Sequence, residues 1–346
     1  MTSSPPDFTA LIDLASTSFG GATLSASDEF FAEKENLLRP GRGIFIPEKY
    51  TDRGKWMDGW ESRRKREPGN DWCIIKLGAP GIIRGVDIDT NHFLGNHPPH
   101  ASVEGLNLES TPCTDLTNAT WTPLLPKSPL NPGAAHLFSV DSKETWTHVR
   151  LSIFPDGGVA RFRVYGDVQP RWTRHPDDEA RSEFLNDHEV DLVAARNGGL
   201  ALTCSDMFFS PMNNLLLPHR ASHMGQGWET RRKREPGHDW MILRLGAPGS
   251  ITWAEIDTNH FKGNYPDRCS LEGVHLPEAT AQELQDHSVP WRNLLPSTPL
   301  KAHHQHQFRD ELAKLGDITH VRLNIFPDGG ISRLRLYGLR TQKSAL

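Results

Sequence analysis

The stretch THVRLSIFPDGGVARFRVYG, Thr147 to Gly166, decides how the chain folds, and it occurs twice. Val149, Leu151 and Ile153 alternate with Arg150, Ser152 and Phe154. After Pro155-Asp156-Gly157-Gly158 the pattern resumes, with Ala160, Phe162 and Val164 set against Arg161, Arg163 and Tyr165. A period of two belongs to a strand with one buried face, and Pro-Asp-Gly-Gly is turn chemistry, so the stretch reads as a β-hairpin. THVRLNIFPDGGISRLRLYG, Thr319 to Gly338, keeps both the period and the turn.

Other blocks repeat in the same order. GGATLSASDEFF at Gly20 answers GGLALTCSDMFF at Gly198, and GWESRRKREPGNDW at Gly59 answers GWETRRKREPGHDW at Gly227. DTNHFLGN at Asp89 answers DTNHFKGN at Asp257, and WTPLLPKSPL at Trp121 answers WRNLLPSTPL at Trp291. Asp71 to Leu77, Val86 to Asp89 and their counterparts Asp239 to Leu245 and Glu255 to Asp257 read as further strands. Only Glu179 to Asn186 and Gln307 to Leu315 offer modest helical patterns. Short strands with frequent Gly and Pro predict an all-β chain of two tandem jelly-roll β-sandwich domains. The expected boundaries are 1–168 for the first repeat, 169–184 for a Pro-rich, charged linker and 185–346 for the second repeat.

With 346 residues the chain is long enough for two cores. Its net charge of -5 and the mixing of basic with acidic residues argue against a nucleic-acid-binding face. No apolar run is long enough to span a bilayer and the first residues carry no secretory pattern, so the expectation is a cytoplasmic protein without a membrane partner. Cys73, Cys113, Cys204 and Cys269 have no Cys counterparts between the copies, which fits apolar fillers rather than a disulfide frame.

The chemistry lies in the polar blocks. Packing alone would keep a hydrophobic period, yet Glu61, Arg63, Arg64, Lys65, Arg66 and Glu67 return letter for letter as Glu229, Arg231, Arg232, Lys233, Arg234 and Glu235. Pro68-Gly69 prevents a long helix, so they sit on a loop entering a strand. There an Arg can offer a planar fork to a carboxylate or pair with a neighbouring Glu as a solvated cluster. Asp89, Asn91, His92 and Asn96, with Asp257, Asn259, His260 and Asn264, follow a strand end. They can address an amide and exchange a proton, or simply cap a turn. His136 and His306 match before Phe138 and Phe308, as do His148 and His320, and each is a candidate proton donor or metal ligand. A divalent metal stays open on these residues, although no HExxH or close Cys/His spacing supports one. Pro155-Asp156-Gly157-Gly158 is explained by its turn, and no Ser-based elbow or phosphate loop occurs.

The doubled GWE(S/T)RRKREPG(N/H)DW, the DTNHFxGN after it and the THVRLxIFPDGG near each copy's end closely resemble the allantoicase family, over almost the whole chain from about Gly20 to Gly338. The resemblance implies galactose-binding-like sandwiches, assembly into homo-oligomers and hydrolysis of allantoate to ureidoglycolate and urea in purine degradation. Allantoate carries one carboxylate and two ureido groups on a single carbon. On that basis Arg63, Arg64, Asn96, Arg231, Arg232 and Asn264 are expected to bind substrate. His92, His136, His260 and His306 are expected to move protons, and Glu61, Asp89, Glu229 and Asp257 to activate or position water. The alternative is a non-catalytic bivalent protein binding a carbohydrate or another small ligand through two sandwich modules.

Overall fold

The computed structural model describes residues 6–110, 113–172 and 185–341. The chain divides into two units, Met1–Gln169 and Pro170–Leu346. From residue 173 the expected linker lies outside the described residues, as does the expected helix at Glu179 to Asn186 apart from its last two positions. Among the described residues each unit is all-β, with helical character confined to short 3-10 turns.

A single strand of 19 residues, Asp71–Asp89, organises the first unit, and Asp239–Asp257 does so in the second. Sequence reading expects two strands here, Asp71 to Leu77 and Val86 to Asp89. The chain instead runs through, because its halves have different partners. The first half pairs with Ala22–Ala26 and Trp146–Phe154, the second with Arg161–Val168 and Leu137–Ser139. Gly78 allows a close approach of the chain: a Cβ there would come within 2.6 Å of the Phe19 carbonyl oxygen. The remaining strands, His100–Leu106 and Thr122–Pro129, extend the layer that holds Trp146–Phe154.

The expected hairpin is corrected to a crossover. Trp146–Phe154 and Arg161–Val168 do not pair with each other; Ile153 lies opposite Asp71, and Phe162 opposite Ile88. The linking residues are held elsewhere, since Gly158–Val159 pairs with Trp60–Glu61 and the Phe93 ring lies where a Gly158 Cβ would be, 1.9 Å away. The burial pattern survives this change. Val149, Leu151, Ile153, Ala160, Phe162 and Val164 are all fully buried.

Gln307 to Leu315 is likewise not helical. Gln305–Phe308 is a strand on Asp257 to Ala254, with His306 and Phe308 buried and Gln307 exposed, a period of two rather than 3.6.

The crossover draws the polar blocks together. Both ends of the long strand reach it: Asp71 N donates to Pro155 O at 3.1 Å and Ala160 N donates to Asp89 O at 2.7 Å. The charged loop and the loop after Asp89 join there too, through Ser62 N to Gly157 O at 3.1 Å and Gly158 N to Asn96 O at 2.8 Å. Blocks far apart in sequence thus meet at one end of each sandwich, the loop end where binding groups on such scaffolds gather.

Candidate functional site

Glu61 lies on the two-residue strand beside the crossover, half-buried, and Asn96 Nδ2 donates to its Oε1 at 2.7 Å. Burial pushes the Glu61 carboxyl above its ordinary range, while the bond from Asn96 acts the other way. Copy two repeats the arrangement: Asn264 donates to Glu229, whose carboxyl burial again raises. A carboxyl that retains its proton more readily than usual and is held by one amide is suited to donating that proton.

The two adjacent arginines differ. Arg63 is clasped by Asp28, its N donating to Oδ1 at 2.8 Å and its Nε to Oδ2 at 2.7 Å, and it stacks over the exposed Phe30 ring. Against a burial penalty, donation from the Arg63 and Phe30 backbones and from the Arg63 guanidinium holds Asp28 below the usual carboxylate range. Arg231, Asp206 and Phe208 form the same group in copy two. Arg64 and Arg232 are exposed and make no hydrogen bond or ion pair among the described residues. Lys65 steadies the loop by pairing with buried Asp71 at 2.8 Å, while its backbone N donates to Asp156 Oδ2 at 2.8 Å.

After the long strand, Asp89 is buried and takes a two-pronged bond from Arg42, with Nε and Nη2 each at 3.1 Å. Asp257 takes the same fork from Arg220. His92 adopts a left-handed backbone, φ 68°, stacks on Phe45 and places Nε2 at 3.2 Å from the Gly43 carbonyl. His260, φ 70°, places Nε2 at 2.9 Å from the Ala221 carbonyl. A carbonyl only accepts, so Nε2 carries the proton and Nδ1 keeps its lone pair. His136 is different, because both ring nitrogens are used. Nδ1 donates to Ile88 O at 2.8 Å and Nε2 accepts from Asn131 N at 2.8 Å. His306 is held alike by Ile256 O and Lys301 N, and burial lowers its pKa. These two are neutral braces between a strand and a loop. Among the described residues no group of three or more His, Cys, Asp or Glu side chains is arranged to hold a metal ion.

Comparison with known proteins places this geometry. The allantoicase repeat family matches twice, at residues 12–169 and 190–341. A probable allantoicase of Pseudomonas paraeruginosa is 47% identical over 96% of each chain. That of Photobacterium profundum is 46% identical over 97% of this chain and 98% of its own. The crystal structure of allantoicase from Saccharomyces cerevisiae superposes with a TM-score of 0.80 at 35% identity, covering 96% of both chains.

The chain belongs to the allantoicase family.

Within this family frame, the loop end of each repeat gathers Glu61, Arg63, Arg64, Asp89, His92 and Asn96, or Glu229, Arg231, Arg232, Asp257, His260 and Asn264. His136 and His306 stand behind the strand end as supports. Two partners escaped sequence reading. Asp28 and Asp206 sit in the repeated SDEFF and SDMFF, where a matched Asp was visible among apolar neighbours. Arg42 and Arg220 sit in PGRG and PHRA, inside the stretch whose unequal length hides their equivalence. No described helix is long and apolar enough to cross a membrane.

Proposed function

We propose that the chain hydrolyses allantoate to ureidoglycolate and urea at the loop end of its sandwiches. The observation that carries this placement is the Glu61–Asn96 pair, rebuilt as Glu229–Asn264 in a family of allantoicases. In this reading Arg64 and Arg232, exposed and without a partner among the described residues, receive the substrate carboxylate, while Arg63 and Arg231 hold the loop in shape. The Glu61 carboxyl gives its proton to the leaving ureido nitrogen as the C–N bond at the central carbon breaks. Water supplies the hydroxyl to that carbon and its proton passes to the open Nδ1 of His92. Asp89 and Asp257, each held by an arginine fork, position the loop rather than take a proton.

Purified protein assayed for urea release from allantoate tests the activity. Arg64→Ala combined with Arg232→Ala is expected to raise KM about tenfold or more, the scale of a charge-assisted hydrogen bond. Unchanged kcat/KM would remove the carboxylate assignment. Assembly into a homo-oligomer belongs to the same proposal and is read directly by sedimentation velocity.

A further inference from the structure

A cleft in the first unit includes Asp89 and its partner Arg42 from the loop set and continues to residues that the loop set leaves unused. It has a volume of about 450 Å³ and is lined by Asp13, Gly41, Arg42, Asp87, Asp89 and Arg163. That volume falls within the range of small-molecule sites. Its charges are unevenly satisfied. Asp89 is held by Arg42 at 3.1 Å and Asp13 by Arg163 at 3.5 Å. Asp87, half-buried, accepts one backbone N–H, from His136 at 3.2 Å. A carboxylate can accept up to about four bonds, so Asp87 retains capacity for N–H donors. Arg42 uses Nε and Nη2 on Asp89, and its Nη1 makes no bond among the described residues. One cleft therefore offers an open acceptor and an open cationic donor.

Copy two differs at two positions of the equivalent face. Glu255 stands for Asp87 and is only 2% exposed. Trp253 stands for Gly85 and packs at 4.8 Å on Tyr337, but this position is covered in both copies, since in copy one the Phe8 ring lies over Gly85 and 5.9 Å from Tyr165. Arg335, the counterpart of Arg163, donates to the carbonyls of Leu215 and Leu217. His219 adds an imidazole where copy one has Gly41, with both residues in left-handed backbone.

We propose that the copy-one cleft is a binding site for a small ureido acid, distinct from the Glu61–Asn96 pair, with Asp87 accepting the ureido N–H groups and Arg42 receiving the carboxylate. The choice of ligand class rests on the allantoate reading; the site itself rests on the cleft. A ureido group presents neighbouring N–H donors in one plane, matching a carboxylate acceptor, and its carboxylate needs the cation at the other side. The assignment is to copy one, because in copy two the acceptor's counterpart Glu255 is buried and His219 replaces the glycine.

The test is calorimetric titration of the full chain with N-carbamoylglycine, a ureido acid. Asp87→Asn is expected to weaken binding roughly ten- to a hundredfold, as loss of a charged acceptor does, while Glu255→Gln binds as the parent does. Gly41→His carries the copy-two residue into space where a Cβ meets nothing within 4 Å. It is expected to fold and to lose the same binding, so the test survives if Asp87→Asn fails to fold. Undetectable binding by the parent, parental affinity in Asp87→Asn or Gly41→His, or an equal loss in Glu255→Gln would each overturn the proposal. Urea release from allantoate by the unmodified chain is measured alongside. Its absence sinks the functional reading, whereas normal release with no effect at Asp87 and Gly41 sinks only the cleft.

Discussion

Asn96 holds Glu61 through one hydrogen bond of 2.7 Å, and that bond spans 35 residues of sequence. It joins the charged loop to the loop after the long strand. Glu61→Gln keeps the size and an acceptor for Asn96 but removes the acidic proton. Combined with Glu229→Gln it is expected to lower kcat about 10²- to 10⁴-fold with little change in KM. Rates of the single variants apportion the activity between the repeats. A double variant with parental kcat would show that neither carboxyl serves the chemistry.

Arg63 and Arg64 should part company in stability and catalysis. Arg63→Ala loses the clasp to Asp28 and the contact with Phe30. Its guanidinium is largely exposed, so the cost in a denaturant melt is expected to stay at or below about 1 kcal/mol. Arg64→Ala is expected to leave the melt unchanged and to raise KM for allantoate. The reverse pattern would reassign the two residues.

His320 gives stability a defined pH dependence. It is 1% exposed, its Nε2 has no hydrogen-bond partner among the described residues, and burial, with Arg244 nearby, lowers its pKa from 6.5 to about 4. Between those values the unfolded chain takes up a proton that the folded chain refuses. Stability is therefore fully present above pH 6.5, falls as pH drops toward 4 and flattens below. From pH 6.5 to 5 the loss is expected to be roughly 2 kcal/mol, at about 1.36 kcal/mol per unit. His148, lowered by burial in the same way, adds to it. Urea melts at pH 7.5 and 5 should show a smaller pH difference for His320→Gln than for the parent; equal differences would contradict this account.

Gly158 is the tightest point of the first crossover. A Cβ there would lie 1.9 Å from the Phe93 ring. Gly158→Ala is expected to cost about 1–3 kcal/mol or more by overpacking, and Phe93→Leu in the same chain should recover part of it. A melt unchanged by Gly158→Ala would mean that the ring moves freely.

The sequence made the all-β class, the doubling and the buried alternation of Val149 to Val164 readable, because a period of two records which face meets the core. Pairing was not readable. Pro155-Asp156-Gly157-Gly158 looks like a hairpin turn, since local chemistry shows that the chain reverses but not which strand it then joins. The polar motifs meet at one end of the sandwich, while their internal division depended on partners elsewhere in sequence. Nothing in Arg63-Arg64 shows that the first meets Asp28, and nothing around His136 shows that Ile88 and Asn131 take both its nitrogens. Asp87 was passed over because its counterpart is Glu255, and matching letters favours positions where the copies agree.

Lys65 takes its backbone anchor from Asp156, 91 residues later, and Lys233 takes its own from Asp328, 95 residues later. On a ribosome adding about 5–20 residues per second, the first loop waits roughly 5 to 20 s for that anchor to be made. Each charged loop is therefore among the last parts of its repeat to mature, and a nascent chain stopped before Asp156 carries every preceding residue of the charged motif without its final fastening.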